Sequence, residues 1–295
     1  MSLKRVLAVS VVTAAASAAV GAGTLALHRG PAPAPAAATA AVIPNAPSRM
    51  HPIMHLPIRP VVHFPTLTAG MTGQRVIRLQ ELLADTRYLP FRFRPTAPAR
   101  ISPLAARAGV FNWRFSPPPG LRGQFQPGVF GEITRGAVMT FEAQHGLSAD
   151  GVAGPLVWKA LLAAVRHGHA MRGPYVSAYV SESLPESITI YQDDHAVFTS
   201  PVNTGIPGRP TALGTYPVYL RFTSTTMKGT NPDGTHYDDP GIPWVSYFNG
   251  GDAVHGYIRA SYGSPQSLGC VELPYAAAER AFGLMNYGTL VTVAA

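Results

Sequence analysis

The hydrophobic pattern changes period near Gly168, and that change divides the chain into two kinds of structure. Before it, apolar residues recur every three to four positions: Val76, Leu79, Leu82 and Leu83, then Ala137, Val138 and Phe141, then Trp158, Leu161 and Leu162. This spacing lines one face of a helix, so three helices are expected. Thr72 and Thr134 are the N-cap candidates for the first two, Gly146 stops the second, and Pro155 opens the third. After Gly168 the runs are short and alternating: Y-V-S-A-Y-V-S, S-I-T-I-Y, H-A-V-F-T-S-P-V-N and G-T-Y-P-V-Y-L-R-F. Val, Ile, Thr and Tyr in such runs, bounded by Gly and Pro, predict strands. T-L-V-T-V-A-A is the expected last strand, and one helix is expected between Pro274 and Met285. The expected fold is multidomain: a small three-helix module followed by a mainly β domain.

The residues upstream of these units do not read as a packed core. Lys4 and Arg5 precede an uncharged apolar run from Val6 to Leu27, closed by His28-Arg29. At ~1.5 Å per residue such a helix reaches roughly 33 Å, enough to cross a bilayer. Ala16, Ala18 and Ala22 also suit cleavage by a signal peptidase. Residues 1–29 are therefore a signal peptide or a membrane anchor. Either reading exports the body of the protein to the wall or periplasmic side, touching membrane only through this segment. Residues 30–66 are rich in Pro and Ala, which favours an extended spacer. The low charged fraction, 13%, beside 29 Gly and 29 Pro fits a loop-rich protein with such a spacer.

Charge and cysteine content narrow the chemistry. The formal charge of +8 favours anionic partners, but no Lys/Arg run or basic stripe interleaved with aromatics supports nucleic-acid binding. One cysteine excludes an intramolecular disulfide and a Cys-based zinc site. The H-G-H at His167 to His169 lacks helical zinc spacing, and the Asp193-Asp194 and Asp238-Asp239 pairs read as turns. Neither a metal nor a cofactor is expected. The oligomeric state is not legible, with a monomer as the working expectation.

The lone cysteine sits in A-V-H-G-Y-I-R-A-S-Y-G-S-P-Q-S-L-G-C-V-E-L-P, where Cys270 follows His255 by fifteen residues. A thiol of ordinary pKa ~8.5 is barely ionised at neutral pH, so acyl transfer requires a base such as imidazole. The two can meet if the intervening residues fold back as a loop. Gly269 permits close backbone approach, and the amides of Gly269 and Cys270 are candidates for an oxyanion hole. A buried thiol near a structural histidine has the same spacing.

Taken whole, this stretch resembles the L,D-transpeptidase catalytic domain, or YkuD, family. That signature is His-Gly, a loop of about a dozen residues, then Ser/Thr-His-Gly-Cys. Here it reads His255-Gly256 and Ser267-Leu268-Gly269-Cys270. G-I-P-G-R-P-T-A-L-G-T-Y (Gly205 to Tyr216), T-M-K-G, P-W-V-S-Y-F and G-G-D-A-V-H-G follow the family's order upstream. The resemblance implies a catalytic domain over residues 174–295. It implies Cys270 as nucleophile, His255 as base, the Gly256 carbonyl as orienter of the imidazole, and Ser267 as support of the cysteine loop. Met227, Trp244, Tyr247 and Phe248 would line the substrate cleft. Two positions depart from the family: Leu268 replaces the histidine before Gly-Cys, and Glu272 stands where Arg or Asn is frequent. Losing that imidazole implies a higher thiol pKa than in histidine-containing relatives. A cysteine endopeptidase of the NlpC/P60 kind places Cys before His, the reverse of the order here.

The helical segment resembles the peptidoglycan-binding-domain type 1 family. The match rests on Gly73, Val76, Leu79, Gln80, G-V-F-G-E-I-T, G-L-S-A-D-G-V-A-G and Trp158, and implies a module over 67–165. Residues 89–127, rich in Arg, Pro and aromatics, are an insertion where the family has a short connection. Together the resemblances imply a cysteine L,D-transpeptidase forming 3→3 cross-links on peptidoglycan tetrapeptide stems, with peptidoglycan as partner. An L,D-carboxypeptidase of the same fold and a catalytically impaired wall-binding protein are the alternatives.

Overall fold

The computed structural model describes residues 62–98 and 102–295. The proposed signal or anchor at 1–29 and all but the end of the 30–66 spacer lie outside the described residues. Among the described residues no helix is long and apolar enough to cross a membrane.

The three expected helices form as α1 (Gln74–Asp85), α2 (Glu132–Gln144) and α3 (Pro155–His167). Their apolar stripes meet in one core around Leu79, Leu82, Val138, Phe141, Trp158 and Leu161, all fully buried. Neither threonine caps a helix. Gly73, at φ 113°, and Gly131 hold the N-cap positions of α1 and α2, with no side-chain cap. Thr72 is used in a bridge to Val129, and Thr134 lies within the first turn of α2. Gln80 explains the shift. Its buried amide donates to the Val129 carbonyl and to Thr134 Oγ1, both at 3.0 Å, while its Oε1 accepts the Gly128 amide at 2.8 Å. One side chain thus pins the whole entry to α2. Pro155 opens α3 as expected, and Gly168, left-handed at φ 67°, ends it.

The insertion folds. Its F-R-F-R-P run is β1 (Phe91–Pro95), paired antiparallel with β2 (Gly109–Trp113). Period-two alternation turns Phe91 and Phe93 inward and leaves Arg92 and Arg94 exposed. Phe91 packs on Trp113 and Phe125 with centroids at 4.3 and 4.1 Å, extending the helical core. A buried charge cluster ties the hairpin to α1. Glu81 accepts from Arg78 Nη1 at 2.7 Å, and from the Arg107 amide and Nε at 2.6 and 3.1 Å. Glu81 and Arg78 are 0% and 1% exposed, and Arg78 Nε and Nη2 have no hydrogen-bond partner among the described residues.

The second half is two sheets and a helix. A five-stranded sheet runs in the order β5 (His195–Pro201), β4 (Ser187–Gln192), β3 (Val176–Ser181), β11 (Leu290–Ala294), β6 (Gly214–Pro217). A four-stranded sheet runs β10 (Val271–Leu273), β9 (Asp252–Gly256), β8 (His236–Asn249), β7 (Leu220–Thr230). The pairs β3–β11 and β9–β10 are parallel, the others antiparallel. Val180, Ile188, Ile190 and Val291 meet Phe248, Val271 and Leu273, with α4 (Tyr275–Leu284) adding Ala278 and Ala281.

The two halves touch, which the sequence leaves open. Helix α2 packs on the edge formed by β6 and β11, and Leu290 joins the helical core. Gly136 and Gly288 make the approach possible, because a Cβ on either would overlap the other's carbonyl. Thr140 Oγ1 donates to the Tyr287 carbonyl at 3.1 Å, and Gln124 Nε2 to Thr215 Oγ1 at 2.8 Å.

Two predictions follow from buried charge. Glu81→Ala strands Arg78 without a counter-ion and should destabilise the protein by about 3–5 kcal/mol in urea unfolding. Cleavage by trypsin within 96–107 should appear with it. Glu142 is buried against the Gly151 amide at 2.9 Å, and desolvation lifts its carboxyl from 4.5 to about 8. A raised carboxyl stabilises the fold below the unfolded value, and the stabilisation is lost as pH climbs through the folded one. The Tm of Glu142→Gln should therefore gain on wild type steadily between pH 5 and 8.

Candidate active site

Parallel pairing brings the cysteine to the histidine. In the β9–β10 register Glu272 lies beside His255 and Val271 beside Val254. Side chains on paired residues share a face, and faces alternate along a strand. Cys270, two residues before Glu272, therefore stands on the same face as His255. The three line one cleft of about 580 Å³ together with Met227, Tyr247 and Leu268.

Parallel strands cannot be joined by a tight turn, so the chain must travel back along β9 between Gly256 and Val271. Three contacts fix that return. Asn203, fully buried, donates to the Ser261 carbonyl, accepts the Gly263 amide, and exchanges backbone bonds with Glu272. Arg259 grips both oxygens of Glu272 at 2.7 Å and also donates to the Gln266 carbonyl. The Gly205–Tyr216 segment buttresses the far end, with the Ile206 amide on the Ser267 carbonyl.

His255 is 3% exposed, and its Nδ1 lies 3.1 Å from the Gly256 carbonyl. That acceptor requires hydrogen on Nδ1 and leaves Nε2 as the free base. Burial lowers the imidazole pKa below 6.5, and the Gly256 bond and Glu272 oppose the shift. Ser267 Oγ donates to the Cys270 carbonyl at 2.6 Å and accepts the Gly269 amide at 3.1 Å. Ser267 therefore supports the cysteine loop, but it occupies the Gly269 amide expected for an oxyanion hole. The Cys270 amide has no partner among the described residues. The sulfur is partly accessible, yet its surroundings desolvate the thiolate and push the thiol up to about 12. The Ala253 amide pulls it down, while Asp252 and Glu272 raise it further. At rest the thiol is protonated, its sulfur 3.7 Å from the Gly251 carbonyl, and the imidazole is neutral.

Of the four residues expected to line the cleft, Met227 and Tyr247 do so, and Trp244 and Phe248 do not. Phe248 is 2% exposed in the core between the sheets, and Trp244 packs there against Phe282 at 5.9 Å. The reason is alternation on β8. Tyr247 and Phe248 are neighbours in an extended strand and cannot face the same side. Sequence reasoning missed Asp252, Tyr257 and Arg259, and read Asp238-Asp239 as a turn where both lie in β8; Asp239 and these three also line the cleft. Tyr257 and Arg259 follow His255 directly in H-G-Y-I-R, and Asp252 lies three before it.

These charge states predict two pH dependences in the free protein. Alkylation of Cys270 by iodoacetamide should keep accelerating beyond pH 10 without a plateau, whereas a plateau near neutrality would contradict a thiol raised by burial. An imidazole of lowered pKa stays a base further into acid, so any His255-dependent step should lose half its rate below pH 6.5.

Comparison with known proteins now bears on this geometry. Residues 177–293 match the model of the L,D-transpeptidase catalytic domain, YkuD, and residues 120–161 match that of a peptidoglycan binding domain. The second match covers α2 and the first half of α3 but not α1, which the insertion separates from them. No curated protein matches the chain. Among solved structures, an L,D-transpeptidase from Mycobacterium smegmatis is 21% identical over 42% of this chain and 60% of its own, with TM-score 0.38. L,D-transpeptidase 3 from Mycobacterium tuberculosis is 23% identical over 42% of this chain and 62% of its own, with TM-score 0.37. The catalytic domain of the L,D-transpeptidase from E. faecium is 27% identical over 42% of this chain and 98% of its own, also with TM-score 0.37. The chain thus spans only about 60% of the length of the first two. Residues 177–293 are thus similar to the L,D-transpeptidase catalytic domain family, and residues 120–161 to a peptidoglycan binding domain.

Proposed function

We propose that the protein is an exported cysteine L,D-transpeptidase that forms 3→3 cross-links between peptidoglycan stems. The observation that carries this reading is the shared face of Cys270 and His255, with Nδ1 held by Gly256 so that Nε2 is the free base.

In the proposed reaction a tetrapeptide stem enters the cleft along Met227 and Tyr247. Nε2 of His255 takes the proton from Cys270 Sγ as the sulfur attacks the carbonyl of the third, diamino-acid residue. Substrate binding expels water, and the neutral resting pair means that charge is created only in this step. The oxyanion is received by the Cys270 amide, since Ser267 holds that of Gly269. Collapse breaks the bond to D-Ala, which leaves with the proton from His255, and a thioester remains on Cys270. The side-chain amine of a second stem gives its proton to His255 and attacks the thioester, forming the new amide and restoring the thiol. Water in place of that amine makes the enzyme an L,D-carboxypeptidase. The peptidoglycan binding segment, fixed to the β6–β11 edge by α2, would hold the glycan while the cleft works on its stems.

One observation favours the non-catalytic alternative. Leu268 places an apolar side chain beside the thiol, which burial pushes up to about 12. Intact-mass spectrometry with a tetrapeptide donor separates the readings. An adduct on Cys270 with D-Ala release, abolished in Cys270→Ala and slowed at least ~10²-fold in His255→Ala, is expected. No adduct and no D-Ala from folded protein with a free thiol would leave only wall binding. A diamino-acid acceptor then divides cross-linking from hydrolysis.

A further inference from the structure

A cavity of about 770 Å³ shares no residue with the Cys270 cleft. It lies where the insertion hairpin meets the β4–β5 turn, so the insertion creates it. Its walls carry Arg87, Arg92, Arg94 and Arg114. Two of the three aspartates opposite are paired with arginine, Asp85 with Arg107 at 3.1 Å and Asp193 with Arg114 at 3.6 Å, while Asp194 lies 3.0 Å from His195. Arg87, Arg92 and Arg94 have no ion-pair partner among the described residues. Arg114, its side chain 9% exposed, flanks them in contact with Asp193, so three guanidinium groups without an ion-pair partner among the described residues crowd beside it.

Two local features argue that this crowding is built rather than incidental. Arg92 and Arg94 project from the same face of β1, about 7 Å apart along the strand, a spacing that suits repeated charges on a linear chain. Arg87 holds a left-handed backbone, φ 65°, at the end of α1, where glycine is the unstrained choice. The aromatic faces nearby are covered by arginine: Arg107 over Phe93 at 4.9 Å and Arg114 over Phe115 at 5.5 Å. No free aromatic platform for stacking bases remains in the cleft, which disfavours single-stranded nucleic acid.

We propose that this cleft binds an acidic polysaccharide, with Arg87, Arg92 and Arg94 forking onto its carboxylate or phosphate groups. The volume exceeds what one small anion fills, and the open hairpin face lets a linear chain run through. The site is independent of the reaction proposed for Cys270.

The test titrates the purified full chain with oligogalacturonate, its methyl ester, a phosphorylated oligomannoside, and oligo-dT as competitor, at several salt concentrations. Binding of at least one acidic glycan, lost on esterification and weakened by salt, is expected; the tighter of the two identifies the preferred anion. Arg92→Ala with Arg94→Ala should weaken it at least about tenfold while D-Ala release from a soluble donor is unchanged. Arg87→Gly should also weaken it, with Tm equal to or above wild type, so that lost binding cannot be lost folding. A control pair, Arg122→Ala with Arg166→Ala, removes the same charge from exposed sites elsewhere and should leave affinity intact. The proposal fails if neither glycan binds, if the control pair loses as much as the cleft pair, or if oligo-dT displaces the glycan from the same arginines.

Discussion

A parallel strand pair obliges the chain to return to the end it started from, and in this protein that obligation builds the site. His255 is the penultimate residue of β9 and Cys270 immediately precedes β10, so the connection must run the length of the pair without adding a strand. The fifteen-residue interval is what such a return needs when no helix makes it. Everything else in the cleft depends on that pairing. It sets the shared face of His255, Cys270 and Glu272, and brings Ser267 under the loop that carries the thiol.

The departure at Glu272 makes physical sense once the loop is seen. A carboxylate 5% exposed beside a buried imidazole needs a counter-charge, and Arg259 supplies it with both oxygens engaged at 2.7 Å. The same pair staples the start of the return loop to its end. Glu272 also opposes part of the desolvation that lowers His255, so the base keeps some of its strength. Its effect on Cys270 has the opposite value, raising a thiol that burial has already raised. Both groups are therefore neutral in the free protein.

Close backbone approach joins the helical half to the rest, and buried charge joins the insertion to α1. Gly136 and Gly288 allow α2 to sit on the β6–β11 edge, and Glu81 draws the insertion onto α1 through Arg78 and Arg107. The insertion then shapes a second cleft against the β4–β5 turn, far from the residues that face Cys270. Its arginines point outward because the phenylalanines between them fill the core.

The sequence by itself determined most element types, the change from helices to strands near Gly168 and the His255–Cys270 motif that the fold brings to one cleft. Those rest on periodicity, on Gly and Pro punctuation, and on a motif whose spacing has a topological cause. It also placed Ser267 and the Gly256 carbonyl, because both lie within two or three residues of the groups they hold. What only the tertiary structure decided involves partners distant in the chain. Gln80, not a threonine, organises the start of α2 across 54 residues. Asn203 and Arg259 anchor the return loop, and Trp244 and Phe248 fall into the core because the pleat of β8 gives the cleft face to Tyr247. Whether the insertion folds was hidden for the same reason, since Glu81 holds it from 26 residues away. Local pattern fixes what a segment becomes; which of its faces is covered is set by contacts that close only when the chain has folded.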